Sequence, residues 1–216
     1  MSIRILLADD HKIFREGMRS LLEKEPNMLV IGEAGNGKET VKLAQELLPD
    51  VVIMDITMPD LNGIDATQQL KKKTPHTQVL CLSQHSERNF VLAMFEAGAA
   101  GYLLKDSAFD ELTRAIYAVY SNKIYISPQI THYIIDESLA RASEKKVSST
   151  VLSAKEREVL QLIAEGKSTK QIAARLNRSM KTIETHRRQI SKKLNIHSIA
   201  ELTKYAISEG LTSLDT

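Results

Sequence analysis

The amino-acid sequence predicts a parallel α/β domain followed by a small all-α domain, and three observations carry that prediction. Five short apolar runs alternate with amphipathic segments over the first 120 residues, as strands and helices do in a sheet covered on both faces. From residue 151 onward the apolar period is helical throughout, and capping signals mark the helix starts. Charge divides at the same place. Residues 1–150 carry 17 basic and 20 acidic side chains, a net −3, whereas residues 151–216 carry 12 and 7, a net +5. An acidic part joined to a basic one suggests two domains, the second meeting nucleic acid, although chance surface variation gives the same totals.

The strands are expected at 3–8, 28–31, 51–54, 79–83 and 101–104, runs rich in Ile, Val and Leu with little polar alternation. Between them Phe14, Met18, Leu21 and Leu22 share one helix face, and Val41, Ala44 and Leu48 share another. Val91, Met94 and Phe95 precede Gly98, a helix stop, and Leu112, Ile116 and Val119 mark a last helix. Residues 121–150 read as a partly helical linker, with a short helix after Pro128 and a Ser- and Lys-rich stretch at 143–150. Four short helices follow, at 154–165, 169–176, 180–194 and 199–209. Ser153 with Glu156, Ser168 with Gln171 and Ser198 with Glu201 match capping boxes, Ser179 is a further N-cap, and Gly166 and Gly210 stand at stops.

Composition excludes several classes. No run approaches the ~20 apolar residues of a membrane span, and the apolar stretch after Arg4 stops at Asp9 and Asp10, unlike a signal peptide. The single cysteine, Cys81, excludes an internal disulfide framework and fits a reducing, cytoplasmic compartment. Set between Leu80 and Leu82, it reads as a buried strand residue. The segment from Gly32 to Lys38 looks like the start of a phosphate-binding P-loop, but that loop needs Ser or Thr after its lysine and Glu39 stands there. Gly35 to Gly37 is better read as a turn into the second helix.

The informative feature is where polar residues fall. Asp9 and Asp10 follow the first strand, Asp55 the third, Ser83 ends the fourth and Lys105 follows the fifth. In a parallel sheet all these ends lie at one edge, where ligands bind. Three carboxylates there stay ionised around a hard divalent cation such as Mg²⁺, and a carboxylate can itself attack phosphorus. Lys105 would offset charge on a transferring phosphoryl group, and the Ser83 hydroxyl would bond one of its oxygens. A lone Asp after a strand is usually a turn residue; five such residues at four strand ends argue for a site.

These residues resemble the receiver domain of two-component response regulators over about residues 3–120. The motifs are Leu7-Ala8-Asp9-Asp10-His11, Asp55-Ile56-Thr57-Met58-Pro59 followed by Gly63, the Ser83 position, and Gly101-Tyr102-Leu103-Leu104-Lys105. The resemblance implies a flavodoxin-like, five-stranded sheet of order 2-1-3-4-5. It implies that Asp55 accepts a phosphoryl group from a sensor histidine kinase, and that Asp9, Asp10, Asp55 and the Thr57 backbone carbonyl hold Mg²⁺. Ser83, Lys105 and Tyr102 would read the phosphoryl state. Gln84, His85 and Thr57 occupy positions that tune hydrolysis in the family, and His85 reads equally well as a plain loop histidine.

In the basic part, the second and third helices and their tight turn make a helix-turn-helix. On the longer helix Ile183, Ile190 and Leu194 share an inward face, while Lys181, Glu184, Thr185, Arg188 and Lys192 form one polar stripe. Arg188 suits guanine, Glu184 cytosine and the Thr185 methyl thymine, with Arg187, Gln189, Lys193 and Lys170 on phosphates. Alone, the stripe fits a solvated helix face equally well. The run from Leu152 to Leu160, Gly166, Ile172-Ala173 and Thr182-Ile183-Glu184-Thr185-His186 resemble the LuxR/FixJ-type DNA-binding domain over about 150–212. That resemblance adds Thr182 to the DNA contacts and assigns 198–209 to dimerisation. Together the matches are similar to the NarL/FixJ class: receiver 1–120, linker 121–150, helix-turn-helix domain 151–216. They imply a phosphoacceptor regulator with no enzymatic role beyond its own phosphoryl transfer and dephosphorylation. Promoter DNA, a phosphorylated homodimer and RNA polymerase are the expected partners, and no membrane.

Overall fold

The computed structural model describes residues 2–131 and 151–212. It divides into two compact units, 1–145 and 146–216.

In the first unit, β1 (Ile3–Ala8), β2 (Met28–Ala34), β3 (Val51–Met54), β4 (Gln78–Ser83) and β5 (Gly101–Leu104) alternate with α1 (Lys12–Leu22), α2 (Gly37–Leu47), α3 (Gly63–Lys73), α4 (Arg88–Ala97) and α5 (Phe109–Tyr120). Every strand pair is parallel. Successive side chains leave a strand on opposite faces, so each strand feeds two cores. Leu6, Ala8, Val52 and Met54 pack with Val41, Ile64 and Met94 on the face of α2, α3 and α4. Ile5, Leu7, Ile53 and Leu82 pack with Met18, Leu22, Leu112 and Ile116 on the face of α1 and α5. Burying each of these large side chains contributes about 1.5–3 kcal/mol.

The sheet has six strands, not five, in the order β2-β1-β3-β4-β5-β6. The addition, β6 (Tyr125–Ile126), lies in the stretch expected to be linker. It is held by Tyr125 N–H on the Ala100 carbonyl and Ser127 N–H on the Tyr102 carbonyl, both 3.0 Å. Two half-buried residues carry no readable period, so only the pairing defines this strand. A 3₁₀ turn (Pro128–Ile130) follows, placing Ile130 in the core. The Ser- and Lys-rich stretch at 143–150 lies outside the described residues. β2 also runs three residues past expectation, because its polar end at Glu33 hides the apolar signal.

β1 is flanked by β2 and β3, so the crossovers leave it in opposite directions and open a crevice at the C-terminal strand ends. Gly63 shapes the crevice. Its N–H bonds the Ile56 carbonyl at 2.7 Å, and a Cβ there would sit 1.9 Å from the Asp55 carbonyl oxygen. Gly35 to Gly37 forms a turn whose Asn36 side chain caps α2 through the Glu39 N–H, as expected of a turn and not of a phosphate loop.

The second unit holds α6 (Ala154–Ala164), α7 (Thr169–Arg175), α8 (Met180–Leu194) and α9 (Ile199–Ser208). Full capping boxes start α6 and α7. At α9 Ser198 accepts the Glu201 N–H, while the Glu201 carboxylate returns to the Ser198 hydroxyl and not to its backbone. Val159, Leu160, Ile172, Ile183, Ile190 and Leu202 form the core. Gly166 and Gly210 end their helices at φ 75° and 71°, a left-handed region that glycine enters without strain. Among the described residues no helix is long and apolar enough to cross a membrane.

Candidate phosphoacceptor and nucleic-acid sites

Ladder hydrogen bonds bring the acidic residues together. The Asp55 N–H bonds the Ala8 carbonyl at 2.8 Å, and the Lys105 N–H bonds the Ser83 carbonyl at 2.9 Å. Across the resulting gap Lys105 Nζ lies 2.6 Å from Asp9 Oδ2 and 3.0 Å from Asp55 Oδ2. All three side chains are at most 8% exposed. Asp55 Oδ1 accepts the Ile56 N–H at 2.8 Å. Burial pushes the Asp55 carboxyl up to about 6; Lys105 opposes the rise and the charge of Asp9 adds to it. For Lys105 burial works to lower the pKa, but Asp55 and Asp9 outweigh it and the ammonium is held above its ordinary range. Phe14 of α1 lies against the ammonium, its ring centre 4.9 Å from Nζ.

Ser83 is fully buried at the end of β4, where its hydroxyl accepts the His85 N–H at 3.2 Å. Tyr102 is equally buried and donates its hydroxyl to the His85 carbonyl at 2.6 Å. Thr57 Oγ1 and His85 Nε2 are 2.9 Å apart, and the His85 ring stacks on Phe90 of α4 at 4.2 Å. The loop after β4 thus touches the loop after β3, β5 and α4 through one residue. The His85 ring is held between Thr57 and Phe90.

Oxygen atoms of Asp9, Asp10 and Asp55 and a nitrogen of His11 lie within 4.8 Å of one another. Asp10 Oδ1 is buried and is faced by His11 Nδ1 at 2.8 Å. Clustered carboxylate oxygens repel one another, and a hard cation with oxygen ligands offsets that repulsion. The residues therefore suit a divalent metal. Two members escaped the sequence reading. His11 follows the acid pair and looks there like a helix-start residue. Arg15, on α1, donates to the Asp9 carbonyl and, at 3.3 Å, to Glu33 Oε2. Nothing in the sequence spacing links it to β2.

In the basic unit Lys170, Lys181, Glu184, Thr185, Arg188 and Lys192 are exposed, while Thr182 and Arg187 are half-buried. Ile183 and Ile190 are fully buried, and the partly buried Leu194 packs on the same core. The Thr185 hydroxyl bonds back to the Lys181 carbonyl at 2.9 Å, leaving its methyl to be presented. Thr182 is engaged with the Ser179 cap. Arg187 bonds Thr169 Oγ1 at 3.1 Å and fastens α8 to α7. Lys193, expected on a phosphate, pairs with buried Glu156 at 2.6 Å. A polar hollow of about 520 Å³ lies among Arg187, Arg188, Ser191, Lys192, Asn195 and His197.

A model of the response regulator receiver domain matches residues 5–117, and one of the bacterial regulatory proteins of the luxR family matches residues 150–206. The chain is 37% identical over 216 residues to the response regulator UvrY of Escherichia coli, covering 99% of this chain and 98% of that one. It is 36% identical to the transcriptional regulatory protein MctR of Rhizobium johnstonii, over 98% of this chain and 96% of the relative. Among solved structures, RcsB of Salmonella enterica bound to promoter rprA with the phosphomimetic BeF3⁻ superposes at a TM-score of 0.60 and 27% identity, over 95% of this chain and 98% of that one.

Proposed function

The chain belongs to the response regulators that join a receiver domain to a luxR-family DNA-binding domain and control transcription, and we propose that phosphorylation of Asp55 switches DNA binding through α8. The observation that carries this reading is Lys105, one ammonium bonded to both Asp9 and Asp55 at a buried sheet edge.

The donor is a partner histidine kinase. A carboxylate oxygen of Asp55 attacks phosphorus, the phosphorus–nitrogen bond of the donor breaks, and an acyl phosphate remains on Asp55. Asp9, Asp10, Asp55 and the Thr57 backbone carbonyl would hold Mg²⁺, which when bound offsets charge on the transferring group. Lys105 pairs with a phosphoryl oxygen on one side, and the Ser83 hydroxyl turns to another. That turn releases the His85 N–H. His85 then passes the change to Tyr102 and, through Phe90, to α4. The phosphoryl charge shifts a pre-existing equilibrium between two forms.

In this reading the chain performs only its own phosphoryl transfer and hydrolysis. Residues 1–120 form the receiver and 151–216 the DNA-binding domain. Phosphorylation favours a dimer, through the 198–209 helix, that sets two α8 helices on half-sites about one DNA turn apart. Lys181, Thr182, Glu184, Thr185, Arg187, Arg188, Lys192 and Lys170 serve that contact. RNA polymerase is a further partner, in the cytoplasm. Intact-mass spectrometry with acetyl phosphate and Mg²⁺ tests the first step: wild type gains one phosphoryl group and Asp55→Ala gains none. Equal gain in both, or none in wild type, overturns it. Selection of bound duplexes with and without phosphorylation tests the second, and a DNA reader loses affinity steeply as salt rises.

A further inference from the structure

We infer that His11 is a metal ligand of the acidic site, so that the site takes imidazole-binding divalent ions of the nickel and zinc class more tightly than carboxylates alone would. The inference rests on the reading of Asp9, Asp10 and Asp55 as a cation site and adds a nitrogen to it.

Geometry carries the argument. His11 Nδ1 lies 2.8 Å from Asp10 Oδ1 and 3.2 Å from Asp9 Oδ1. With metal–ligand bonds of 2.0–2.1 Å, adjacent ligand atoms of an octahedron stand about 3 Å apart, and both contacts match that edge. Asp10 Oδ1 is buried, and the ring nitrogen is the polar atom that faces it. The ring nitrogen therefore stands between oxygens of both acids, an arrangement in which a shared cation can replace the proton. The backbone fixes this approach, because the His11 N–H donates to Asp9 Oδ1 at 2.8 Å. His11 occupies the N-cap position of α1, yet its side chain makes no capping bond. Its local structural duty thus falls to the backbone, and the ring is left for the site. The ring is 64% exposed, which gives an ion a path from water.

Ligand chemistry then sets the preference. Carboxylate and carbonyl oxygens suit Mg²⁺, whereas imidazole suits nickel and zinc. Asp55 belongs to the same cluster, so an ion held by His11 is expected to compete with Mg²⁺ beside the phosphoacceptor. The alternative is that His11 serves only as a protonated counter-charge to the two carboxylates.

Calorimetry of the full chain with NiCl2 and with MgCl2 separates the two, in wild type and in His11→Ala and His11→Asn. The exposed ring leaves the core untouched, and circular dichroism confirms folding. Loss of the nitrogen is expected to weaken Ni²⁺ by about ten-fold or more and to change Mg²⁺ by far less. In ¹⁵N-histidine spectra, substoichiometric Ni²⁺ is expected to broaden the His11 ring signals before those of the other five histidines. Unchanged Ni²⁺ affinity, equal weakening of both metals, or broadening at another histidine first overturns the inference. If Mg²⁺ binds wild type while His11→Ala leaves Ni²⁺ unaffected, the ligand assignment alone falls. If Mg²⁺ fails to bind wild type, the cation-site reading beneath it falls as well.

Discussion

Replacing Glu156 tests how the basic domain secures its long helix. This side chain at the start of α6 is buried. Its Oε2 accepts the Ser153 N–H and hydroxyl at 2.8 Å each and Lys193 Nζ at 2.6 Å. Burial works to raise the carboxyl pKa, but Lys193 and Ser153 outweigh it and hold the group down to about 2, against an ordinary 4.5. At about 1.4 kcal/mol per unit that gap corresponds to roughly 3 kcal/mol. Lys193 is 43% exposed, so water screens the pair and about 2 kcal/mol remains. Because the folded-state pKa is depressed, this stability is complete above the unfolded value and is lost as pH falls through 4.5 toward about 2. Glu156→Gln keeps an acceptor at the third position of the capping box but has no charge to titrate. It is expected to lose about 2 kcal/mol at neutral pH, a fall on the order of 10 °C in Tm for so small a domain. Glu156→Ala loses about 1 kcal/mol more with the cap. Urea titrations of the full chain, followed through the methyl signals of Ile183 and Ile190, report this domain alone. Equal stability of wild type and Glu156→Gln at neutral pH, or a gap that persists undiminished below about pH 2, would refute the reasoning.

Lys105→Ala leaves Asp9 and Asp55 facing each other without a cation. The receiver is expected to lose about 3 kcal/mol, and added Mg²⁺ to restore most of it, as thermal scans in EDTA and in MgCl2 would show. Gly63→Ala places a Cβ 1.9 Å from the Asp55 carbonyl oxygen, so α3 must shift. A stability loss of about 1–3 kcal/mol and slower phosphoryl uptake are expected, by denaturation and intact mass. Arg188→Ala, at an exposed position of α8, is expected to weaken specific DNA binding by about 1–3 kcal/mol in gel shifts with no change in domain Tm. Arg187→Ala lowers both, because it also breaks the Thr169 bond.

What the sequence revealed and what it hid follow one physical divide. Strand cores such as 51–54 are buried on both faces, so their identity is written in a continuous apolar run. Helix starts at Ser153, Ser168 and Ser179 are legible because a cap is a local bond between residues three apart. The acidic site was readable for a related reason: parallel topology alone sends the ends of β1, β3 and β5 to one edge. What stayed hidden depends on approaches between segments distant in sequence. β6 is two residues defined only by its partner across the sheet. Lys193 reads as a phosphate-facing cation, and the buried carboxylate that α6 brings to it lies 37 positions away. Arg15 reads as an ordinary surface residue of α1, yet its guanidinium joins the Asp9 carbonyl to Glu33. His11 shows a subtler failure: the sequence places it beside both acids, but only the direction of its ring, set by the His11 N–H on Asp9, makes it part of the site. A charged residue near a functional motif is therefore best assigned after its internal partners are counted. That order of reasoning pairs Lys193 with Glu156 inside its own domain and sets the His11 ring beside both acids.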